Sequence, residues 1–170
     1  MKNHRTILVV CALLFVGSAA ADAQSPLDRA RRDEIVSVPA DDPAMEAAFA
    51  RARATLDDFL KVLAAPPPDT RGFAVKLPIR DGGKVEYFWV IDIERDGDRF
   101  TGRINNTPRS VRTVREGQVI AFTRADIRDW MYLDDARQRM IGNFTLCVLL
   151  TREKPAQAAE MKRTFGLVCD

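Results

Sequence analysis

Hydrophobic residues along this chain keep a helical period in one region and a period of two in the next, and the change falls at Gly72. In DDPAMEAAFARARATLDDFLKVLAAPPP, Met45, Phe49, Ala52, Leu56, Phe59 and Leu63 step alternately by four and three, drawing one apolar stripe. Arg51, Arg53, Asp57, Asp58 and Lys61 fall mostly on the other faces. Asp41 or Asp42 supplies the cap, Pro43 suits the first helical position, and Pro66, Pro67 and Pro68 end the run. The pattern predicts one long helix over 43–64. Its stripe spans too few heptads for a stable coiled coil, so it is expected to pack on a sheet.

From Gly72 the residues alternate. In GFAVKLPIR, Phe73, Val75, Leu77 and Ile79 share a face, and Pro78 suggests an edge strand. After the turn Asp81-Gly82-Gly83, KVEYFWVIDIER sets Val85, Tyr87, Trp89, Ile91 and Ile93 against Glu86, Phe88, Val90, Asp92 and Glu94. The preferred reading buries Trp89 and covers Phe88 with the long helix. RFTGRINN, SVRTV and VIAFT read as further short strands, and the apolar run NFTLCVLL reads as a central one. Earlier in the chain, Val36 and Val38 read as a short edge strand stopped by Pro39.

Two shorter helices complete the prediction. Thr123 and Asp126 have the spacing of a capping box and would start a helix through Ile127 and Trp130. EKPAQAAEMKRTFG makes a second, with Pro155 early, Lys162 and Arg163 late and Gly166 as its stop. Tight turns between short strands imply antiparallel pairing. The fold class is therefore α+β: a curved antiparallel sheet of about five or six strands, with a partly open barrel as the alternative. One long N-terminal helix packs on it, a short helix precedes the last strand, and a C-terminal helix closes the chain.

The beginning of the chain changes the chemistry expected of the rest. MKNHRTILVVCALLFVGSAAADAQS has basic Lys2 and Arg5, an apolar core over 7–16 and a small-residue cleavage site at Ala21-Asp22-Ala23. Residues 1–23 read as a secretory signal peptide, 24–34 as a flexible mature N-terminus, and 35–170 as a single domain. An uncleaved anchor is disfavoured because the apolar run falls short of the ~20 residues that span a bilayer. Cys11 follows Val10 inside the apolar core, which argues against a lipoprotein, and Arg31-Arg32 come too late for a twin-arginine signal. The expected location is the periplasm or the exterior, with no membrane insertion after cleavage.

Cleavage removes His4, the sole histidine, and with it any Ser-His-Asp triad, Cys-His dyad or imidazole ligand. It leaves 24 basic and 23 acidic residues, a net charge of +1 that predicts no nucleic-acid partner. Cys147 and Cys169 remain, and an oxidising compartment favours a bridge between them, stabilising by on the order of 3 kcal/mol. The alternative is two separate small apolar side chains. No Cys-x-x-Cys is present to support thiol redox chemistry.

The most chemically suggestive segment is ADIRDWMYLDD. Asp126 is explained by capping, and Asp134 and Asp135 by a solvated rim beside Arg137 and Arg139. A calcium loop spacing is absent, and so is its distal glutamate. A hydrolase or lyase using Asp126, Asp129 or Glu86 as acid and base remains the enzymatic alternative. In GRINNTP, Arg103, Asn105 and Asn106 serve a turn or hold a polar ligand. The candidate binding residues are thus Arg103, Asn105, Asn106, Asp126, Asp129 and Trp130, with no catalytic residue, metal or cofactor assigned. No phosphate-binding glycine loop, G-x-S-x-G elbow or H-E-x-x-H motif occurs. The leading functional reading is a non-enzymatic periplasmic binding or interaction module for an unknown protein or a small polar ligand.

Taken in order, DDPAMEAAFARARATLDDFL, FAVKLPI, EYFWV, GRINNTP, VREGQVIAF, DIRDWMY and GNFTLCVLL resemble the YegJ-like family of small bacterial proteins, domain of unknown function 2314. The resemblance covers about residues 35–166. It implies one compact domain and carries over no catalytic or binding residue. Its signature positions are Trp89, Gly102, Asn105, Pro108, Gly117, Asp129, Trp130 and Gly142.

Overall fold

The computed structural model describes residues 42–169. The signal peptide and cleavage site read from the sequence, and the strand expected at Val36 and Val38, lie outside the described residues. The Asp42 side chain accepts the Met45 N–H at 3.0 Å and starts α1 (Pro43–Ala54), with Pro43 in its first turn. α2 (Leu56–Ala64) follows after a break at Thr55. The Thr55 hydroxyl donates to Arg51 O at 2.9 Å, sharing that carbonyl with its own N–H at 3.2 Å, a back-bond that competes with the helical ladder. The stretch 43–64 is two helices, yet the apolar stripe survives the break. Phe49, Ala52, Leu56, Phe59 and Leu60 are all buried.

Six strands then form one open antiparallel sheet. They are β1 (Thr70–Asp81), β2 (Lys84–Asp96), β3 (Arg99–Ile104), β4 (Val119–Thr123), β5 (Asp129–Asp134) and β6 (Arg139–Gly142), in the order β4-β3-β2-β1-β5-β6. β4 and β6 are its edges, so the barrel alternative is not adopted. α3 (Phe144–Leu150) and α4 (Pro155–Phe165) end the chain. One core joins Leu56, Phe59 and Leu60 of α2 to Val75, Leu77, Phe88, Val90, Ile104 and Trp130 of the sheet. A second joins Met140 of β6 and Met161 of α4 to Leu150 and Leu167. None of the described helices is long and apolar enough to cross a membrane.

Three local expectations are corrected, and one strand was not expected. NFTLCVLL is helix α3, not a central strand, because a short apolar run fits a buried helix as well as a buried strand. DIRDWMY contributes strand β5; only Arg124–Asp126 forms a single 3-10 turn before it. Pairing with β1, through Val75 opposite Trp130 and Lys76 opposite Asp129, outweighs the weak local helix preference. SVRTV is a loop, and β6 is a strand with too short a pattern to read.

The faces of β2 are a further correction. Glu86, Phe88 and Val90 point inward, Val85 and Tyr87 are 39% and 41% exposed, and Trp89 is only half-buried. Phe88 and Val90 pack in the core with α2, as expected for Phe88, while the face of Val85, Tyr87 and Trp89 is covered only in part, Tyr87 meeting Phe49 of α1 at 5.6 Å. Two expected end signals are present: the Thr123–Asp126 capping box as a start, and Gly166 as a stop, in the left-handed region at φ 59°.

Candidate functional site

Asp129 opens β5 and is wholly buried. Its Oδ1 accepts the Trp130 N–H at 2.9 Å and the Phe144 N–H at 3.2 Å. Its Oδ2 accepts the Thr145 N–H at 2.9 Å and the Thr145 hydroxyl at 2.6 Å. The amides of Phe144 and Thr145 begin α3, where a helix leaves N–H groups without internal partners. Asn143 precedes them in the left-handed region and caps nothing with its side chain. A strand therefore caps a helix from 15 residues upstream. Four donors occupy the four acceptor positions of the carboxylate, leaving none for a substrate or a metal.

The network runs outward from there. Lys76 Nζ donates to Thr145 Oγ1 at 2.6 Å and stands 4.5 Å from the centre of the Trp89 ring. Burial pushes the Asp129 carboxyl above its ordinary range, while the Lys76 charge and the Thr145 and Trp130 donors pull it back. Trp130 is held by its indole N–H on Ala52 O at 3.0 Å and by stacking on Phe59 at 5.1 Å.

Asp134, expected on a solvated rim, is instead buried and accepts the Arg137 N–H at 3.0 Å, and Glu86 is a third buried carboxylate with a backbone task. It accepts from the amides of Arg109, Ser110 and Val111 and from the Ser110 hydroxyl, at 2.8 to 3.2 Å. Burial raises its pKa, but those amides outweigh it and hold the group below the ordinary glutamate value. The same bonds fold the loop after β3 back and set Val111 in the core.

The remaining expected residues lie apart. Asn105 N–H donates to Trp89 O at 2.9 Å, and Asn106 Oδ1 accepts the Trp89 N–H at 2.6 Å, so the two extend the β2 ladder beyond Ile104. Arg103 pairs with Asp92 on the surface, where a bulge puts Asp92 at φ 53°. Asp126 Oδ2 accepts the N–H and hydroxyl of Thr123, each at 2.8 Å. Arg103 and the asparagines belong to the β2–β3 end, Asp126 to the turn after β4, and Asp129 with Trp130 to the β5–α3 junction. Cys147 and Cys169 are bonded, with Cα atoms 5.5 Å apart, tying α3 to the end of the chain. Among the described residues, no three His, Cys, Asp or Glu side chains gather as a metal cluster.

The structure brings together a different set. Asp57, Leu60, Lys61 and Ala64 of α2, Arg95 of β2 and Arg124 after β4 line a surface cleft of about 250 Å³. Arg124 bonds Asp57, Lys61 bonds Asp58 at 3.2 Å, and Arg95 donates to Gly97 O at 2.8 Å. Arg124 holds the Asp57 carboxyl below the usual carboxylate range, and the charges of Lys61 and Arg95 add to this. Three cations thus act on one point, against one lining carboxylate and a floor of Leu60 and Ala64.

A family model described as "Uncharacterized protein conserved in bacteria (DUF2314)" matches residues 42–168. The chain belongs to the DUF2314 family. "Uncharacterized protein YegJ" of Escherichia coli (strain K12) is 34% identical over 158 residues, which cover 93% of this chain and 96% of that protein. A Neisseria meningitidis serogroup B protein named for ankyrin repeats is 28% identical over 97 residues, 55% of this chain and 38% of its own length. No solved structure matches the chain.

Within this DUF2314 domain, the signature residues Asn105, Asp129, Trp130 and Gly142 serve junctions between elements. A Cβ at Gly142, at φ 84°, would stand 2.2 Å from Trp130 O, so only glycine fits there. The basic cleft of the DUF2314 domain left no trace in sequence reading. Its cations come from positions 61, 95 and 124, and only the fold joins them.

Proposed function

We propose that this DUF2314 protein is an exported, non-catalytic binding module that takes a small anionic ligand in the cleft between Lys61, Arg95 and Arg124. The observation that carries the reading is the convergence of those three cations on Asp57 above an apolar floor. A ligand with two negative charges competes with Asp57 for Arg124 and gains Lys61 and Arg95 as well. Export is supported by the leader-like first 23 residues and by the Cys147–Cys169 bond, which suits an oxidising compartment. Against a hydrolase or lyase stands the commitment of Asp126, Asp129 and Glu86 to separate backbone partners.

The cleft is tested by NMR titration of the full chain with inorganic phosphate and with succinate at low ionic strength. The expected result is saturable shifts at Lys61, Arg95 and Arg124, with affinity falling about fivefold in Arg124→Gln and in Arg95→Gln. Shifts spread over the whole surface, or none at these three residues, overturn it. Fractionation of a producing bacterium tests export. A periplasmic protein beginning at Gln24 is expected, and a cytosolic one retaining Met1 contradicts it.

A further inference from the structure

The two edges of the sheet end differently. β6 is closed by the end of the chain: Met140 bridges Leu167 in parallel, and the Met140 N–H donates to Gly166 O at 3.3 Å. β4 has no such cover among the described residues. Its sequence, VIAFT, includes no charge and no proline, two of the features by which sheet edges ordinarily turn other strands away. Val119 there is 65% exposed, more than any other large apolar side chain described.

The hydrogen bonds around β4 fix which of its backbone groups are open. Ile104 N–H donates to Gln118 O at 2.9 Å, which makes Arg103 and Val119 a widely spaced pair. Bonds to β3 then come from Ile120 and Phe122, and the N–H and C=O groups of Val119 and Ala121 point away from it. Thr123 points away too, but Asp126 Oδ2 accepts its N–H at 2.8 Å. At the other end, Gly117 N–H is turned inward to Ile104 O at 2.8 Å. The open edge is thus confined to the backbone groups of Val119 and Ala121.

These groups are complementary to themselves. Two copies of β4, antiparallel about a two-fold axis at Ile120, set Val119 opposite Ala121 of the second copy, and each such pair exchanges both of its hydrogen bonds. A register centred on Ala121 instead sets Val119 against Thr123, whose N–H is already held. The Ile120 register also matches charge. It brings the Arg115-Glu116 turn of one copy level with Arg124 and Asp126 of the other, so Glu116 faces Arg124 and Arg115 faces Asp126 at both ends of the pair. Ile120, packed at the margin of the core, meets its own copy and extends that core across the axis. We propose that the protein forms a symmetric dimer through β4, the two sheets joining into one. The dimer does not depend on the anion cleft being occupied.

Light scattering during size-exclusion chromatography of the full chain reads its mass, and a dilution series gives the dissociation constant. Twice the chain mass is expected. Ala121→Pro deletes only an outward N–H that β3 does not use, and it removes two hydrogen bonds from the dimer, so association is expected to weaken by at least about tenfold. Glu116→Lys is expected to weaken it about threefold, and by less at high salt. Circular dichroism checks folding, and Val119→Lys, at the exposed position, repeats the comparison if Ala121→Pro does not fold. Amide exchange at Val119 and Ala121 is expected to slow as concentration rises. A monomer at every concentration overturns the proposal, whether those amides exchange freely or are protected by the chain's own first residues. So does a folded Ala121→Pro or Val119→Lys variant that dimerises as the wild type does.

Discussion

Asp129 caps a helix to which it does not belong: its Oδ2 takes both the amide and the hydroxyl of Thr145, at 2.9 and 2.6 Å. Through Lys76 on the same hydroxyl, this one carboxylate ties β5, α3 and β1 together. Asp129→Asn keeps the shape but turns an N–H₂ toward donors. A loss of about 2–4 kcal/mol is expected, because buried bonds to a charged group are broken and donors are left unmet. Urea unfolding measures it, and a change within about 0.5 kcal/mol, the ordinary surface value, contradicts the capping role.

Glu86 predicts a specific acid sensitivity. Its folded pKa lies below the ordinary value of 4.5, so the unfolded chain binds the proton first as pH falls. Its contribution is complete above about pH 4.5 and disappears as pH drops through the folded value. The stability gap between wild type and Glu86→Gln is therefore expected to narrow steadily below pH 4.5. Asp129 works in the opposite sense. Its raised pKa contributes stability at low pH that is lost as pH rises through the folded value. Urea midpoints of the wild type and the two variants across pH 3–7 distinguish the slopes, and parallel curves for wild type and Glu86→Gln contradict the assignment.

Gly142 and Gly117 both have positive φ, at 84° and 77°, but their surroundings differ. A Cβ at 142 meets Trp130 O at 2.2 Å, whereas one at 117 meets nothing within 4 Å. Gly117→Ala is expected to cost about 1 kcal/mol, the left-handed penalty alone. Gly142→Ala adds a backbone collision at the β5–α3 junction and is expected to exceed that by at least 2 kcal/mol or to prevent folding. Thermal melting of the pair decides, and equal losses contradict the packing argument.

The Cys147–Cys169 bond closes a loop with a sequence separation of 22. Chain-entropy reasoning gives about 3 kcal/mol for a loop of that length. Reduction, or the Cys147→Ala/Cys169→Ala pair, is expected to lower unfolding free energy by about that amount. Hydrogen exchange is expected to quicken first in α4. Equal urea midpoints with and without reductant contradict this.

Much of the fold was legible where one local rule acts alone. Asp42 and Pro43 start the helical region, Pro66 to Pro68 follow its end, and Gly82-Gly83 turns the chain between β1 and β2 as the period of two requires. Cys147 and Cys169 were the pair the compartment argument singled out. The failures share a cause. NFTLCVLL and DIRDWMY are short segments whose local signals are balanced. The first is helical because Asp129 supplies its missing cap, and the second is a strand because β1 offers it a ladder.

Residue order along this chain was enough for the α+β class, the amphipathic helical region and the first hairpin, because those depend on neighbours within a few positions. It could not assign the inner face of β2, since Val85-Tyr87-Trp89 and Phe88-Val90 are both apolar and burial depends on where the helices land. Nor could it reveal the cleft of Lys61, Arg95 and Arg124, or the meeting of Asp129 with the first amides of α3. Those groupings are set by register and packing across elements, and such contacts leave no periodic mark in a sequence.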